Sequence, residues 1–144
     1  MPNIDQLELI EAWSESDPSR SLRFTFPIFS QTGAAATTVV YFEIDPGKHL
    51  GTHRDSAEET LFLVSGRGEG VVGDQRTALE SGDLMLIPAM VPHDVVNAGD
   101  EPLRVIGFFS APTIVSVFDD PLAPIGKHVV GTPMPEERPI AAVA

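Results

Sequence analysis

The sequence predicts an all-β protein that forms a single domain. Its 144 residues suit one domain and are enough to bury a substantial core. Thirteen prolines and twelve glycines indicate frequent turns, which favour many short strands over long helices. Between these turns lie runs of β-branched and aromatic residues, which are typical of strands.

Each strand is predicted from such a run. Beyond Gly66, a turn at Gly73 and Asp74 joins two short strands into a hairpin. Residues 4–13 fit either a short helix or an edge strand, because their apolar residues match both periods. The other predicted strands cover residues 22–29, 37–44, 84–87, 94–97, 103–109 and 114–118, and a further apolar run covers residues 61–64.

Composition excludes several classes of function. A net charge of -12 and a pI near 4.5 would repel a phosphate backbone, so we expect no nucleic-acid partner. The chain has no cysteine, so any metal must be bound by nitrogen and oxygen. No apolar run approaches the length of a membrane span and no signal peptide is evident, so we expect a cytoplasmic protein without a membrane partner.

The stretch from Gly47 to Gly66 carries three candidate metal ligands. His53 and Asp55 are two residues apart, so in an extended strand both side chains point the same way and can reach one metal ion. Glu59 keeps this parity. It would return from the next strand if a tight turn at residues 54–57 folded the chain back.

A second stretch supplies a fourth candidate. It begins at Gly82, and an apolar run that ends at Pro88 is followed by a lone imidazole, His93. Two imidazoles with carboxylates and no sulfur suit a divalent first-row ion such as Fe, Mn, Ni, Co or Zn. His49 and His128 are interpreted as surface histidines.

Together the two stretches resemble the two sequence motifs of the cupin superfamily. Asp55 departs from the first motif, where a second histidine is usual, and Met90 departs from the second, where the middle glycine is usual. The matching positions are Gly47, His53, Glu59 and Gly66 in the first motif and Gly82, Pro88, His93 and Asn97 in the second.

The resemblance implies a cupin double-stranded β-helix, which is a jelly-roll barrel. Residues 1–36 would form an N-terminal segment with the first strands, and residues 37–110 the barrel core with both motifs. Residues 111–144 would add a strand and a proline-rich tail to the same domain. Strand 114–118 would pair at an interface or cover the barrel mouth, and residues 133–144 would lie on the surface or on a partner.

One divalent metal is expected on His53, Asp55, Glu59 and His93. Asp55 leaves three alternatives: it ligates the metal, it hydrogen-bonds a ligand histidine, or it marks a site that has lost its metal. Four ligands would leave two octahedral positions for substrate, or for substrate and dioxygen.

The function predicted from this site is a metal-dependent dioxygenase acting on a small enolisable or oxygenated molecule. The alternatives are a metal-dependent lyase or isomerase, and a non-catalytic small-molecule-binding protein. No separate catalytic residue is assigned. An aliphatic wall would exclude water, and a homodimer is expected because sheet edges are rarely left exposed. The candidate wall residues are Leu61, Leu63, Leu86 and Val95.

Overall fold

The computed structural model describes residues 1–134, which form two antiparallel sheets of six strands each. One turn of 3-10 helix, Ser30–Thr32, is the single helical element within this range. The prediction of an all-β jelly-roll is therefore confirmed. The strands are β1 (Ile10–Trp13), β2 (Ser21–Ile28), β3 (Thr38–Ile44), β4 (His53–Asp55), β5 (Glu59–Ser65), β6 (Arg67–Val72), β7 (Gln75–Glu80), β8 (Leu84–Ile87), β9 (His93–Asn97), β10 (Leu103–Phe109), β11 (Val115–Phe118) and β12 (Val129–Gly131).

The first sheet has the strand order β1-β2-β3-β10-β5-β8, and the second has the order β12-β11-β4-β9-β6-β7. Six predicted strands lie within one residue of their predicted bounds, and the Gly73–Asp74 turn joins β6 to β7. Residues 4–13 form no helix. Their last four residues are β1, an edge strand that pairs with β2.

The predicted turn at residues 54–57 is wrong. Arg54 and Asp55 are still within β4, and the chain then crosses from the second sheet to the first before β5 begins. The two strands do not pair, because β4 lies between β9 and β11 whereas β5 lies between β10 and β8. Glu59 therefore reaches the site from the opposite sheet.

Alternating burial shows which side chains lie between the sheets. β5 and β10 bury every second residue over most of their length, as expected for strands with one face on a core. Leu63, Leu103 and Val105 are at most 2% exposed and fill one end of this core. The candidate ligands lie towards the other end.

β11 is hydrogen-bonded on both sides, to β12 and to β4. Its backbone edges are therefore occupied within the chain, and an interface through them is excluded by this pairing. Ser116 and Phe118 of this strand line the central cavity, and coverage of the barrel mouth by the segment stays a prediction. The homodimer itself stays a prediction.

Residues 135–144, most of the tail expected at the surface or on a partner, lie outside the described residues. Within residues 1–134, no helix has the length and apolar character to cross a membrane.

Asn97 joins the end of β9 to the neighbouring sheet. Its buried amide donates to the carbonyls of Ile44 at 2.8 Å and Glu101 at 2.7 Å, and its carbonyl accepts from the Gly99 amide at 2.8 Å. All three bonds serve backbone groups. Their loss would leave those groups without partners.

We predict that Asn97→Ala lowers the free energy of unfolding by about 2–4 kcal/mol, because buried backbone groups lose their partners. Chemical denaturation with Asp100→Ala as the matched control measures this. Asp100 is exposed on the same turn, and its removal should cost less than about 0.5 kcal/mol. Equal effects of the two substitutions would contradict the role of Asn97.

Candidate metal centre

Three strands bring the four predicted ligands to one place. His53 and Asp55 come from β4, Glu59 from the first residue of β5, and His93 from the first residue of β9. Each is at most 5% exposed. His53 and His93 are cross-strand neighbours whose ring centroids lie 4.1 Å apart.

Asp55 lies at the centre of this group. Its Oδ2 is 3.0 Å from His93 Nε2 and 3.7 Å from His53 Nε2. Potential ligand atoms of these three residues all lie within 4.8 Å of one another. Glu59 joins from the other side, with its Oε1 3.6 Å from His93 Nε2.

Both imidazoles are oriented by backbone carbonyls. His53 Nδ1 lies 2.8 Å from the Gly51 carbonyl oxygen, and His93 Nδ1 lies 2.8 Å from the Val91 carbonyl oxygen. A carbonyl oxygen only accepts, so each Nδ1 carries the proton and donates it. In the neutral rings, each Nε2 therefore presents a lone pair to the site, which is the form in which imidazole binds a metal.

Asp55 is held by one oxygen and free at the other. Ser116 donates its hydroxyl to Asp55 Oδ1 at 2.5 Å, which fixes the carboxylate. Within the described part of the chain, Asp55 Oδ2 and His93 Nε2 are the buried side-chain polar atoms without a hydrogen-bond partner. Buried polar atoms are normally satisfied. These two lie 3.0 Å apart and compensate each other while His93 carries a proton, and a bound cation in place of that proton would satisfy both.

Gly107 provides the space for the Glu59 carboxylate. It lies on β10 opposite Leu61, and a Cβ at this position would collide with Glu59 Oε2 and with Val40. A larger residue would therefore displace the carboxylate from His93. This role could not be predicted, because Gly107 lies inside an apolar strand outside both motifs.

Burial and mutual contact shift the pKa of all four groups. Burial lowers the pKa of His93, but its contacts with the Asp55 and Glu59 carboxylates outweigh burial and raise it to about 10. Burial and the His93 charge lower the pKa of His53 to about 4. Burial raises the pKa of Glu59 to about 7. For Asp55, burial is outweighed by the imidazoles, and its pKa lies below the ordinary value. A metal ion must therefore displace protons, so acid should weaken its binding.

A surrounding network fixes the loop before His53. Asp94 accepts from the Gly51 amide at 2.7 Å and contacts His49 Nδ1 at 2.7 Å. Arg20 is buried and donates to the Leu50 carbonyl at 3.2 Å. The prediction of a plain surface histidine is thus wrong for His49, which is only partly exposed. The same prediction is confirmed for His128, which is exposed and contacts the Phe118 carbonyl.

Met90 occupies a backbone conformation that suits glycine. Its φ of 63° lies in the left-handed region, which explains why glycine is usual at this position of the motif. Its amide donates to the Asp55 carbonyl at 2.8 Å, which ties the corner before β9 to β4. Met90 is 53% exposed and does not line the cavity.

The site opens into a cavity of about 70 Å³. Leu61 and Val95 line it as predicted. Leu63 lies deeper in the core, and Leu86 points outward and is 58% exposed, so both wall predictions are wrong. Apart from the polar site, the wall is apolar and combines eight aliphatic side chains with five phenylalanines. The phenylalanines are Phe24, Phe26, Phe42, Phe109 and Phe118. Phe118 also stacks on the His53 ring at 4.8 Å between centroids.

We predict that metal-free Glu59→Gln protein becomes increasingly more stable than the metal-free parent as pH rises from about 4.5 to about 7. The folded parent binds the Glu59 proton more tightly than the unfolded chain, so ionisation of Glu59 destabilises it across this window. The difference should reach up to about 3 kcal/mol, at about 1.4 kcal/mol per pH unit.

Denaturation of chelator-treated protein at several pH values measures this difference. Glu58→Gln is the matched control, since Glu58 is exposed next to Glu59. A difference between Glu59→Gln and the parent that does not vary with pH would contradict the prediction.

Comparison with known proteins agrees with the fold and the motifs. The sequence profile of the cupin domain family matches residues 40–109. The 1-methylthio-D-xylulose 5-phosphate methylsulfurylase of Rhodospirillum rubrum is 30% identical over 110 residues, which cover 76% of this chain and 68% of that protein. A crystal structure of a cupin-2 domain protein from the same organism has a TM-score of 0.63 at 30% identity and covers 72% of this chain and 69% of that one.

A further relative is the gentisate 1,2 dioxygenase 1 of Aquipseudomonas alcaligenes, which is 34% identical over 79 residues. The match covers 54% of this chain but only 22% of that protein, so the similarity is confined to part of a longer relative. The sequence match, the shared fold and the two motifs lead to one conclusion: the chain belongs to the cupin family.

Proposed function

We propose that this protein is a metal-dependent dioxygenase that acts on a small enolisable or oxygenated organic molecule in the central cavity. The main support for the proposal is that potential ligand atoms of His53, Asp55 and His93 lie within 4.8 Å of one another at the cavity wall. The unpaired Asp55 and His93 atoms support a cation there.

His53, Asp55, Glu59 and His93 would hold one divalent ion of Fe, Mn, Ni, Co or Zn. When bound, such an ion supplies Lewis acidity and open positions for a substrate oxygen and for dioxygen. The free Oδ2 of Asp55 supports direct ligation by this residue, because Ser116 already occupies its other oxygen. The alternative that Asp55 only orients a histidine is less well supported, because backbone carbonyls already hold both Nδ1 atoms.

The chain's own residues would orient the site and keep water out. The carbonyls of Gly51 and Val91 fix the imidazoles, and Ser116 fixes the Asp55 carboxylate. Apolar side chains such as Phe42 and Val95 line the adjacent cavity and would exclude bulk water from the reacting molecule. Exclusion of water strengthens electrostatic interactions at the site.

The hypothesis of a dioxygenase is supported by the similarity to gentisate 1,2 dioxygenase 1, although the chain spans only 22% of that protein. A metal-dependent lyase or isomerase would use the same ligands without dioxygen. The methylsulfurylase relative, which covers more of the chain, keeps this alternative open to the same experiment. A small-molecule-binding protein without catalysis would consume neither dioxygen nor ligand.

The test is oxygen consumption by protein loaded separately with each of the five metals, against a panel of diketones and enols. We expect metal-dependent oxygen uptake with at least one compound. His93→Gln should lose most of it, because the amide replaces an imidazole ligand. His128→Gln is the matched control and should retain it, because His128 is exposed and does not line the cavity.

Two results would contradict the dioxygenase. The first is compound consumption at the same rate under anaerobic conditions, which would favour the lyase or isomerase. The second is binding without consumption of either reactant, which would favour the non-catalytic alternative. Circular dichroism of His93→Gln must match the parent for its loss of activity to count.

A further inference from the structure

We infer that the cavity selects an uncharged, largely apolar molecule that offers its polar group only to the metal site. This inference rests on the proposed metal-dependent function and names the substrate class of the same site. It implies that molecules carrying a carboxylate or phosphate away from the reacting group are rejected.

The first observation is the absence of lysine and arginine from the cavity wall. Among the described residues that line the cavity, none is lysine or arginine. Arg20 is buried elsewhere and donates to the Leu50 carbonyl and to Asp120. A distant anionic group on the substrate would therefore find no lysine or arginine to pair with, and the His93 imidazole already lies against Asp55 and Glu59.

The second observation is that the polar wall groups are already used. The polar lining residues within the described chain are the four candidate ligands and Ser116, whose hydroxyl is donated to Asp55. No side-chain hydrogen-bond donor is left for a distant polar group on the substrate. Such an accepting group would be buried without a partner, which is unfavourable.

Charge balance at the site leads to the same conclusion. The carboxylates of Asp55 and Glu59 would together neutralise a divalent ion, so the loaded site has no formal positive charge to offer an anion. A further negative charge in this buried cavity would be uncompensated, which is strongly unfavourable. The net charge of -12 on the chain adds long-range repulsion of anions.

The shape of the wall indicates an apolar substrate body. Phe24 and Phe26 are partly exposed and pack edge to face with centroids 5.9 Å apart, so they extend the lining towards solvent. Phe118 stacks on His53 and brings an aromatic surface up to the candidate ligands. The wall from the partly exposed phenylalanines to the ligands is therefore suited to a flat or branched apolar group.

A matched pair of ligands tests the inference directly. We would measure binding of 1-phenylbutane-1,3-dione and of its para-carboxylate derivative to the zinc-loaded protein by equilibrium dialysis. The two compounds share the diketone and differ in one distant charge. We expect the uncharged compound to bind at least tenfold more tightly. Equal affinity, tighter binding of the carboxylate, or no binding of either would overturn the inference.

A pair of variants locates the origin of the preference. Phe26→Arg places a cation in a partly exposed part of the wall and should reduce the preference to less than about threefold. Phe108→Arg is the control, because Phe108 is 45% exposed and does not line the cavity. It lies on β10 beside Phe109, which does line the cavity. An unchanged preference in Phe26→Arg would overturn the inference.

The same measurements separate this inference from the proposed function. In metal-free protein the uncharged compound should bind more weakly but should still be preferred, because the preference comes from the wall. If oxygen uptake is absent while the binding preference for the uncharged compound remains, only the proposed dioxygenase function is rejected. Oxygen uptake with charged substrates as readily as with uncharged ones would reject only the inference.

Discussion

The fixed orientation of two imidazoles is the constraint on which the site depends. The carbonyls of Gly51 and Val91 accept hydrogen bonds from the Nδ1 atoms of His53 and His93, so both Nε2 atoms point inward. Neither ring can turn away without breaking a buried hydrogen bond. The pairing of β4 with β9 then sets the rings side by side, and the crossing to β5 adds Glu59 from the opposite sheet. Binding therefore needs little rearrangement of these groups.

This arrangement concentrates polar groups at one end of an otherwise apolar interior. Leu103 and Ile44 are fully buried, whereas Asp55 Oδ2 and His93 Nε2 remain without hydrogen-bond partners. Two carboxylates and two imidazoles in such a place destabilise the fold unless protons or a metal ion compensate them. The packed end of the core offsets that cost. Departures from good packing are expected where a fold carries a binding site.

Much of the fold could be predicted because alternation and turn residues are local signals. The spacing in the two motifs likewise identified all four converging residues. Parity showed that His53, Asp55 and Glu59 share a direction, but it does not specify the sheet, so the crossing to β5 was missed. Leu86 was misplaced because β8 is entirely apolar, and in such a strand alternation does not reveal which face is buried. The roles of Ser116 and Gly107 depend on contacts between distant segments.

We propose that His53, Asp55, Glu59 and His93 together bind one divalent ion in this cavity. Elemental analysis combined with X-ray absorption spectroscopy of the metal-loaded protein tests this proposal. We expect close to one ion per chain, coordinated by two imidazole nitrogens with the remaining ligands oxygen and no sulfur. Protein that fails to retain a divalent ion after reconstitution, or an absorption spectrum without imidazole scattering, would contradict it.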